Sequence, residues 1–242
     1  MRGHITDAFD RVTDTLTDVD NLIGTLDVLD TLNEMVTGVH PILRCPPACS
    51  RCCHQQIVIS EEEWALVLAH LHAHLSEADR RRIVRTAHKL CHPKTGLLAA
   101  ALRQKTREAF DEELNRVLRR RVTPCVLLTA DGRCSVYPVR PMICRAYGRV
   151  ATAPDKPMLC MIFNERLQAQ QVSPLELEMP DYAPVALAYF RSGPPDVRYA
   201  VLPAFVAYHD DGTGDLVTEV RPLPRDGADF PVLTRAEARI TS

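Results

Sequence analysis

The first part of the chain carries a regular pattern of apolar and polar positions that predicts a helix. Over residues 5–26 apolar side chains recur at alternating intervals of four and three, and aspartates lie off this seam. Such spacing gives an α-helix one apolar face. The seam consists of Ile5, Phe9, Val12, Leu16, Val19, Ile23 and Leu26. We expect this helix to pack on its own domain. The alternative is that residues 5–26 bind a protein partner or form a homodimeric coiled coil, although three heptads are short for a coiled coil.

The helical pattern continues through the first half of the chain. Ser60 followed by Glu63 is a capping box, which predicts that a helix begins there, with Trp64 on its apolar face. Two further helices are predicted at about 77–91 and 97–121.

The second half of the chain is rich in proline, which breaks helices. Fourteen of the 18 prolines lie in residues 122–242, so strands, turns and short helices are predicted there. Two short apolar runs flank Asp131-Gly132, which predicts a β-hairpin with these residues in its turn. A short helix carrying Cys144 and Arg145 should follow. Later strands are predicted at 199–208, 216–220 and 230–233.

Composition excludes several classes of protein. The chain has 242 residues, 46% of them hydrophobic, so it can bury a core and is not disordered as a whole. It lacks the apolar run of about 18–20 residues that a membrane span needs. The net charge is −2, and although residues 77–121 hold seven more basic than acidic side chains, only one of the residues in this segment, Phe110, is Phe, Tyr or Trp. We therefore expect a solvated helix face there, and neither a nucleic acid nor a membrane as partner.

The cysteines carry the chemistry. There are nine, an odd number, and four of them (Cys45, Cys49, Cys52 and Cys53) fall within nine residues. The amino terminus resembles no secretory signal, so we expect a reducing cytoplasm, where clustered thiols hold metal rather than form disulfides. Adjacent side chains on an extended backbone point to opposite faces, so Cys52 and Cys53 rarely ligate one mononuclear ion. Two four-ligand sites, or one cluster with spare thiols, both remain open.

Two blocks of the sequence resemble a known family. The first is Cys45-x3-Cys49-x2-Cys52-Cys53, followed by Ile57-Val-Ile-Ser-Glu-Glu-Glu-Trp64. The second runs from Cys125-Val-Leu-Leu through Gly132-Arg-Cys134-Ser-Val-Tyr137 to Arg140-Pro-Met-Ile-Cys144-Arg145. Together they resemble the CxxCxxCC (YkgJ-type) cysteine-cluster proteins, described as zinc- or iron-chelating, with one extra residue between the first two cysteines. The resemblance implies eight metal ligands: Cys45, Cys49, Cys52, Cys53, Cys125, Cys134, Cys144 and Cys160.

Other residues near the cysteines have supporting roles or none. Arg140 and Arg145 flank Cys144, and we expect their guanidinium groups to offset the negative charge of a thiolate site. Tyr137 is expected in the apolar shell of the site. Cys91 has no place in the family pattern and is predicted to be a small buried hydrophobic residue. We expect no ligand among the histidines, namely His54 beside the cluster and the i, i+4 pair His70 and His74.

These observations combine into one expectation. The fold should be mainly α with a small β-hairpin, divided into an amphipathic helix (1–44), a cysteine-cluster domain (45–165) and a proline-rich extension of α+β or irregular structure with short strands (166–242). We expect a cytoplasmic protein that chelates zinc or an iron–sulfur cluster, since all-sulfur ligation suits both. One alternative is an iron–sulfur redox enzyme, because the family resembles flagellin lysine N-methylase at a distance. Another is an adaptor whose fold the metal stabilises. No catalytic residue is recognisable.

Overall fold

A computed structural model describes residues 22–46, 49–104, 106–120, 123–151, 157–180, 198–223 and 233–234. The chain divides into two compact units. Unit 1 comprises Met1–Cys52, Pro141–Pro194 and Ala238–Ser242, and unit 2 comprises Cys53–Arg140 and Pro195–Glu237. The predicted boundaries at residues 44 and 165 divide the chain differently and stay a prediction.

The described residues are mainly helical, with short strands, as the sequence predicts. The helices are α1 (Leu22–Val39), α2 (Glu61–His74), α3 (Glu77–Cys91), α4 (Ala99–Leu102), α5 (Arg107–Arg120), α6 (Met142–Ala146), α7 (Met161–Ala169) and α8 (Leu202–Tyr208). The strands are β1 (Val58–Ser60), β2 (Val150–Ala151), β3 (Pro157–Met158), β4 (Arg198–Val201) and β5 (Leu233–Thr234). Single 3₁₀ turns lie at Pro41–Leu43, Arg51–His54, Tyr137–Val139 and Pro174–Glu176.

Unit 1 is built on the packing of α1 against α6. The apolar face of α1 is buried within the chain itself, through Leu26, Leu29, Leu32 and Val36. The Asn33 side-chain amide donates a hydrogen bond to the Arg145 carbonyl oxygen (2.9 Å), which ties the two helices by their polar atoms as well. Residues 5–21 of the predicted seam lie outside the described residues, so the homodimer through 5–26 stays a prediction. Strands β2 and β3 form an antiparallel pair in this unit.

Unit 2 has a core between α2, α3, α8 and an antiparallel sheet ordered β1-β4-β5. The predicted capping box is confirmed: the Glu63 N–H donates to Ser60 Oγ (3.1 Å), and the Ser60 N–H donates to a Glu63 carboxylate oxygen (2.8 Å). The helix that starts there buries Trp64, whose ring stacks on Phe205 of α8 at a centroid distance of 5.9 Å. The capping signal therefore positions the largest side chain of this core.

The predicted β-hairpin is present in a reduced form. Its arms meet at one isolated antiparallel pair, Leu128 with Cys134. The Thr129 N–H donates to the Arg133 carbonyl (2.8 Å) and the Gly132 N–H donates to the Thr129 carbonyl (3.0 Å), which closes the turn. Gly132 has a φ of +78°, a conformation that favours glycine.

Three predicted elements differ from the structure. The strand predicted at 199–208 is β4 followed by α8, because Pro203 lies in the first turn of a helix, where its missing N–H and fixed φ are tolerated. Of the strand predicted at 216–220, only Leu216 pairs, in an isolated bridge with Asp210. The helix predicted at 97–121 is broken into α4 and α5. The predicted strand at 230–233 lies outside the described residues except for Leu233, which belongs to β5.

The basic face of α3 is engaged with acidic side chains of the same unit. Arg80 forms a bidentate ion pair with Asp215, at 2.9 and 2.7 Å, and Arg81 pairs with Glu77 at 2.7 Å. Asp215, which lies outside residues 77–121, neutralises part of the positive charge of this segment. Among the described residues, no helix is both long and apolar enough to cross a membrane.

Candidate metal centre

Five of the predicted thiol ligands belong to unit 1, namely Cys45, Cys49, Cys52, Cys144 and Cys160. Cys45 and Cys49 belong to the loop after the 3₁₀ turn Pro41–Leu43, where the Cys49 N–H donates to the Pro46 carbonyl (3.2 Å), and Cys52 lies in the next 3₁₀ turn. Cys160 is buried and occupies the N-cap position of α7. Cys45 and Cys160, more than 100 positions apart in sequence, therefore belong to the same compact unit.

The pKa values of the Cys45 and Cys160 thiols depend on burial and on neighbouring groups. Burial raises the pKa of the Cys45 thiol, the Arg149 guanidinium lowers it, and Cys49, Cys52 and Cys160 raise it further. Burial likewise raises the pKa of Cys160; backbone N–H groups in the first turn of α7 lower it, and Cys49 and Cys52 raise it. A nearby like charge raises the pKa of a thiol. A cation would relieve this mutual repulsion.

Two arginines of unit 1 fix the loop that carries Cys45. Arg149 Nη2 lies 2.9 Å from Cys45 Sγ, and Arg149 Nε donates to the Leu43 carbonyl (3.2 Å). From α7, Arg166 Nη1 donates to the carbonyl oxygens of Ile42 (3.0 Å) and Arg44 (2.6 Å). Three successive carbonyls are therefore bonded by guanidinium groups. Neither arginine was predicted to act at the site.

A glycine next to Arg149 allows close packing on Cys160. Gly148 has a φ of +87°, and a Cβ at this position would lie 3.3 Å from Cys160 Cβ and 3.1 Å from the Phe163 ring. The dipeptide Gly148-Arg149 consequently contacts Cys160 with its backbone and Cys45 with its side chain. A left-handed glycine is required here both by backbone conformation and by space.

Three further predicted ligands belong to unit 2. The Cys125 N–H donates to the Cys53 carbonyl oxygen at 2.7 Å, and the Leu128 N–H donates to the Cys125 carbonyl at 3.0 Å. Leu128 is in turn the partner of Cys134 in the reduced hairpin. Cys125 and Cys134 are half-buried against the apolar core of the unit. The hairpin turn and the backbone of Cys53 thus hold these three residues in one region.

The remaining predicted site residues lie on or before α6. Cys144 is half-buried in this helix. Arg145 is buried and forms a salt bridge with Asp30 of α1. In unit 2, the Arg140 guanidinium lies 4.1 Å from the centre of the Tyr137 ring, and Tyr137 is 59% exposed. That exposure does not match the apolar environment expected for Tyr137; the supporting roles of all three residues stay predictions.

Cys91 and the histidines are placed as follows. Cys91 ends α3, half-buried against the core of unit 2, and burial raises the pKa of its thiol to about 12. His54 ends the 3₁₀ turn Arg51–His54. The rings of His70 and His74 lie 4.3 Å apart between centroids, and burial, followed by the neighbouring His74, lowers the pKa of His70.

The donor set of unit 1 fits a thiophilic metal by its chemistry. Unit 1 contains five cysteine sulfurs, with a guanidinium N–H directed at one of them, and such ligands suit zinc or an iron–sulfur cluster. Within the described part of the chain, no three side chains of the cysteine, histidine, aspartate or glutamate type are close enough together to hold an ion as they stand. Ligation at about 2.3 Å, the zinc–sulfur distance, therefore requires the thiol side chains to move together.

The helical fold and the cysteine pattern are typical of a cysteine-rich protein of the metal-chelating class. A family model named CxxCxxCC and described as "Putative zinc- or iron-chelating domain" matches residues 44–182, and the chain belongs to this family. The match spans the loop of Cys45, the reduced hairpin and α7. Comparison with curated proteins gave no significant match, and neither did comparison with solved structures.

Proposed function

We propose that this protein is a cytoplasmic metal-binding protein that chelates zinc or an iron–sulfur cluster through the thiolates of its clustered cysteines. The proposed ligands are Cys45, Cys49, Cys52, Cys53, Cys125, Cys134, Cys144 and Cys160. None of the nine cysteines, all of which lie in the described residues, forms a disulfide, which is consistent with a reducing compartment. The family description supports metal binding and names zinc and iron without choosing between them.

One observation carries the proposal: Arg149 Nη2 lies 2.9 Å from Cys45 Sγ, and the preceding residue, Gly148, packs against Cys160 within the same compact unit. Burial favours the neutral thiol form of Cys45 and Cys160, and a bound metal cation would favour their ionisation to thiolates. When bound, the metal would supply positive charge and four directed bonds. The chain itself would contribute the Arg149 N–H to one sulfur, and the first turn of α7 to another.

The proposed role of the metal is to stabilise the fold around the Cys45 loop. This loop contains Pro46 and is fixed by side chains rather than by a helix or a sheet. In such a site the free energy of metal binding is also free energy of folding. Removal of the metal should loosen unit 1 first, while the apolar core of unit 2 remains.

The test is the identity of the metal in protein purified without oxygen. Elemental analysis and the ultraviolet–visible spectrum are recorded on the same sample. Zinc with no visible absorption would identify a structural site. Iron with broad absorption in the visible range would identify a cluster, whose potential the Arg149 hydrogen bond would tune. Protein that contains neither metal, and takes up neither on anaerobic reconstitution, would contradict the proposal.

A further inference from the structure

We infer that His70 and His74, at the carboxyl end of α2, form a two-imidazole site for a divalent transition-metal ion. The site lies in unit 2 and uses no cysteine, so the inference goes beyond the proposed function and does not depend on it. The class of ligand follows from the donors, because neutral imidazole binds zinc, nickel and copper(II).

The first observation is the contact between the two rings. The ring centres of His70 and His74 lie 4.3 Å apart, with an angle of 43° between the ring planes. An ion that a ring nitrogen binds at about 2.0–2.1 Å lies about 3.2 Å from the centre of that ring. Two rings at right angles around one ion therefore have centres about 4.5 Å apart. The observed separation is close to this value, so the two imidazoles need little rearrangement to share an ion.

The helix holds the two imidazoles together. Residues four apart lie on the same face of an α-helix, so both rings project from one place on α2. The buried side chains of Trp64 and Leu71 fix this helix in the core of the unit. Once one ring binds an ion, the second ring is present at a high effective concentration. The pair should consequently bind more tightly than a single exposed histidine does.

One of the two rings is restrained by a second contact. A hydrogen bond joins the His70 ring to the backbone of Ser135, which engages one of its ring nitrogens. Metal-binding histidines commonly use their second nitrogen in this way, because the bond fixes both the tautomer and the orientation of the ring. His70 is half-buried and His74 is exposed, so an ion can reach the pair from solvent.

The electrostatic environment favours an ion over two bound protons. Burial, followed by the neighbouring His74, lowers the pKa of His70, and the bond to Ser135 offsets only part of this effect. At neutral pH the His70 ring is therefore neutral, which is the form that binds metal. The carboxyl end of α2 also carries the negative end of the helix dipole, which favours a bound cation.

The site is open rather than enclosed by ligands. Among the described residues, no group of three metal-ligating side chains is present, so the ion would complete its coordination with water. The spacing alone predicts no ligand here, because Leu71 stands where the H-E-x-x-H pattern of zinc metalloproteases has glutamate. The ring contact and the bond to Ser135 are the structural grounds for the site.

The experiment follows the histidine rings while Ni²⁺ is added. The full chain is labelled with ¹⁵N-histidine, reduced, supplied with Zn²⁺ to occupy the cysteines and desalted, and ring signals are recorded by NMR. Each signal is assigned from the histidine-to-asparagine variant in which it disappears. Bound Ni²⁺ is paramagnetic and broadens the signals of its ligands. We expect the signals of His70 and His74 to broaden together, at a lower Ni²⁺ concentration than the signal of His88.

Two variants provide the decisive comparison. In His74→Asn, the Ni²⁺ concentration that broadens the His70 signal should rise at least about tenfold, the smallest loss expected when even a partner of a metal ligand is removed. In His88→Asn it should equal that of the wild type, because His88 is engaged with Asp210 at 2.7 Å. The inference is overturned if His74→Asn leaves the broadening of His70 unchanged, or if His88 broadens before the pair does.

Folding of the variants is checked by the fluorescence of Trp64, which lies on the same helix. If His74→Asn alters this fluorescence, His70→Asn replaces it and the His74 signal becomes the readout. Broadening of His74 at the wild-type Ni²⁺ concentration in His70→Asn would overturn the inference. The zinc retained after desalting is measured separately and reports on the cysteines, so a failure of the proposed function is distinguishable from a failure of this site.

Discussion

Arg149 Nη2 lies 2.9 Å from Cys45 Sγ, while Nε of the same guanidinium is bonded to the Leu43 carbonyl, two residues before that cysteine. One side chain therefore holds both the sulfur and the backbone that carries it. A guanidinium donates in a fixed planar fork, so it can serve both acceptors at once. The contact lies between two segments of unit 1 that are about a hundred residues apart.

Replacement of Arg149 should weaken metal binding. Arg149→Met removes the N–H donor and the positive charge at Cys45, and we expect a loss of about 10- to 100-fold in metal affinity, the range found for partners of metal ligands. Arg149→Lys should recover only part of it, because an ammonium cannot serve both acceptors. The measurement is competition with a zinc chelator of known affinity.

Arg166→Met is the matched control for this variant. It removes the bonds to the Ile42 and Arg44 carbonyls but no bond to sulfur. We expect it to lower affinity less than Arg149→Met does. Equal affinities for wild type and Arg149→Met would show that the Arg149–Cys45 contact has no role in metal binding.

Gly148 should be intolerant of a side chain, for two separable reasons. In Gly148→Ala, a Cβ on a left-handed backbone lowers the free energy of unfolding by about 1–2 kcal/mol. The same Cβ lies against Cys160 and Phe163, where overpacking typically costs about 1–3 kcal/mol more. Gly214 has the same φ of +87° but no atom within 4 Å of an added Cβ. Gly214→Ala should therefore show only the backbone cost.

The two alanine variants are compared by chemical denaturation and by metal content. Gly148→Ala should lose more stability than Gly214→Ala and should also retain less metal, because Cys160 is displaced. Equal metal content in the two variants would contradict the placement of Cys160 at the site.

His209 should make the stability of unit 2 depend on pH. Its ring is fully buried, Nε2 accepts the Arg221 N–H (3.0 Å), and Nδ1 therefore carries the proton directed at the Phe205 carbonyl (2.8 Å). Burial lowers the pKa of His209 below its ordinary value of about 6.5. Below that pH the unfolded chain binds a proton that the folded chain does not. Stability from this group is thus complete above about pH 6.5 and is lost as the pH falls towards the lowered pKa.

The fluorescence of Trp64, the single tryptophan, reports on this unit because its ring lies 5.2 Å from that of His209. Urea denaturation of the wild type and of His209→Gln is followed from about pH 7.5 to 5. The difference in unfolding free energy should shrink on acidification, by up to about 1.4 kcal/mol per pH unit. A difference that stays constant with pH would contradict the buried neutral imidazole.

The helix α2, which has a local capping signal, was predictable from the sequence, whereas the apolar helix α8 was not. Ser60 and Glu63 fixed the start of α2 through short-range hydrogen bonds that depend on four residues. By contrast, α8 is buried along most of its length, so its run of apolar residues has no helical period, and such a run resembles a buried strand. Pro203 was the available signal for a helix start there.

The sequence also contains a signal for the break between α4 and α5. The Thr106 hydroxyl accepts the Ala109 N–H at 3.3 Å, as an N-cap side chain does, so a helix begins after it. The predicted single helix overlooked this threonine because no proline or glycine accompanies it.

At the candidate site, sequence spacing pointed to the thiols as candidate ligands but not to the contacts between the segments that carry them. Cysteine patterns show which side chains can bind a metal, whereas the grouping of Cys160 with Cys45 depends on tertiary contacts of Gly148 and Arg166. Arg149 was missed for the same reason. It lies between Cys144 and Cys160 in sequence without any motif, and only its contact with Cys45 Sγ reveals it.

The metal content of three proteins tests the central claim most directly. Wild type, Cys49→Ser and Cys91→Ala are purified in parallel without oxygen, and zinc and iron are measured per chain. Cys49 belongs to unit 1, whereas Cys91 packs against the core of unit 2. Both substitutions therefore remove one cysteine, but at different places in the fold. We expect metal in the wild type and in Cys91→Ala, and a clear loss in Cys49→Ser. Full metal content in Cys49→Ser would contradict the account.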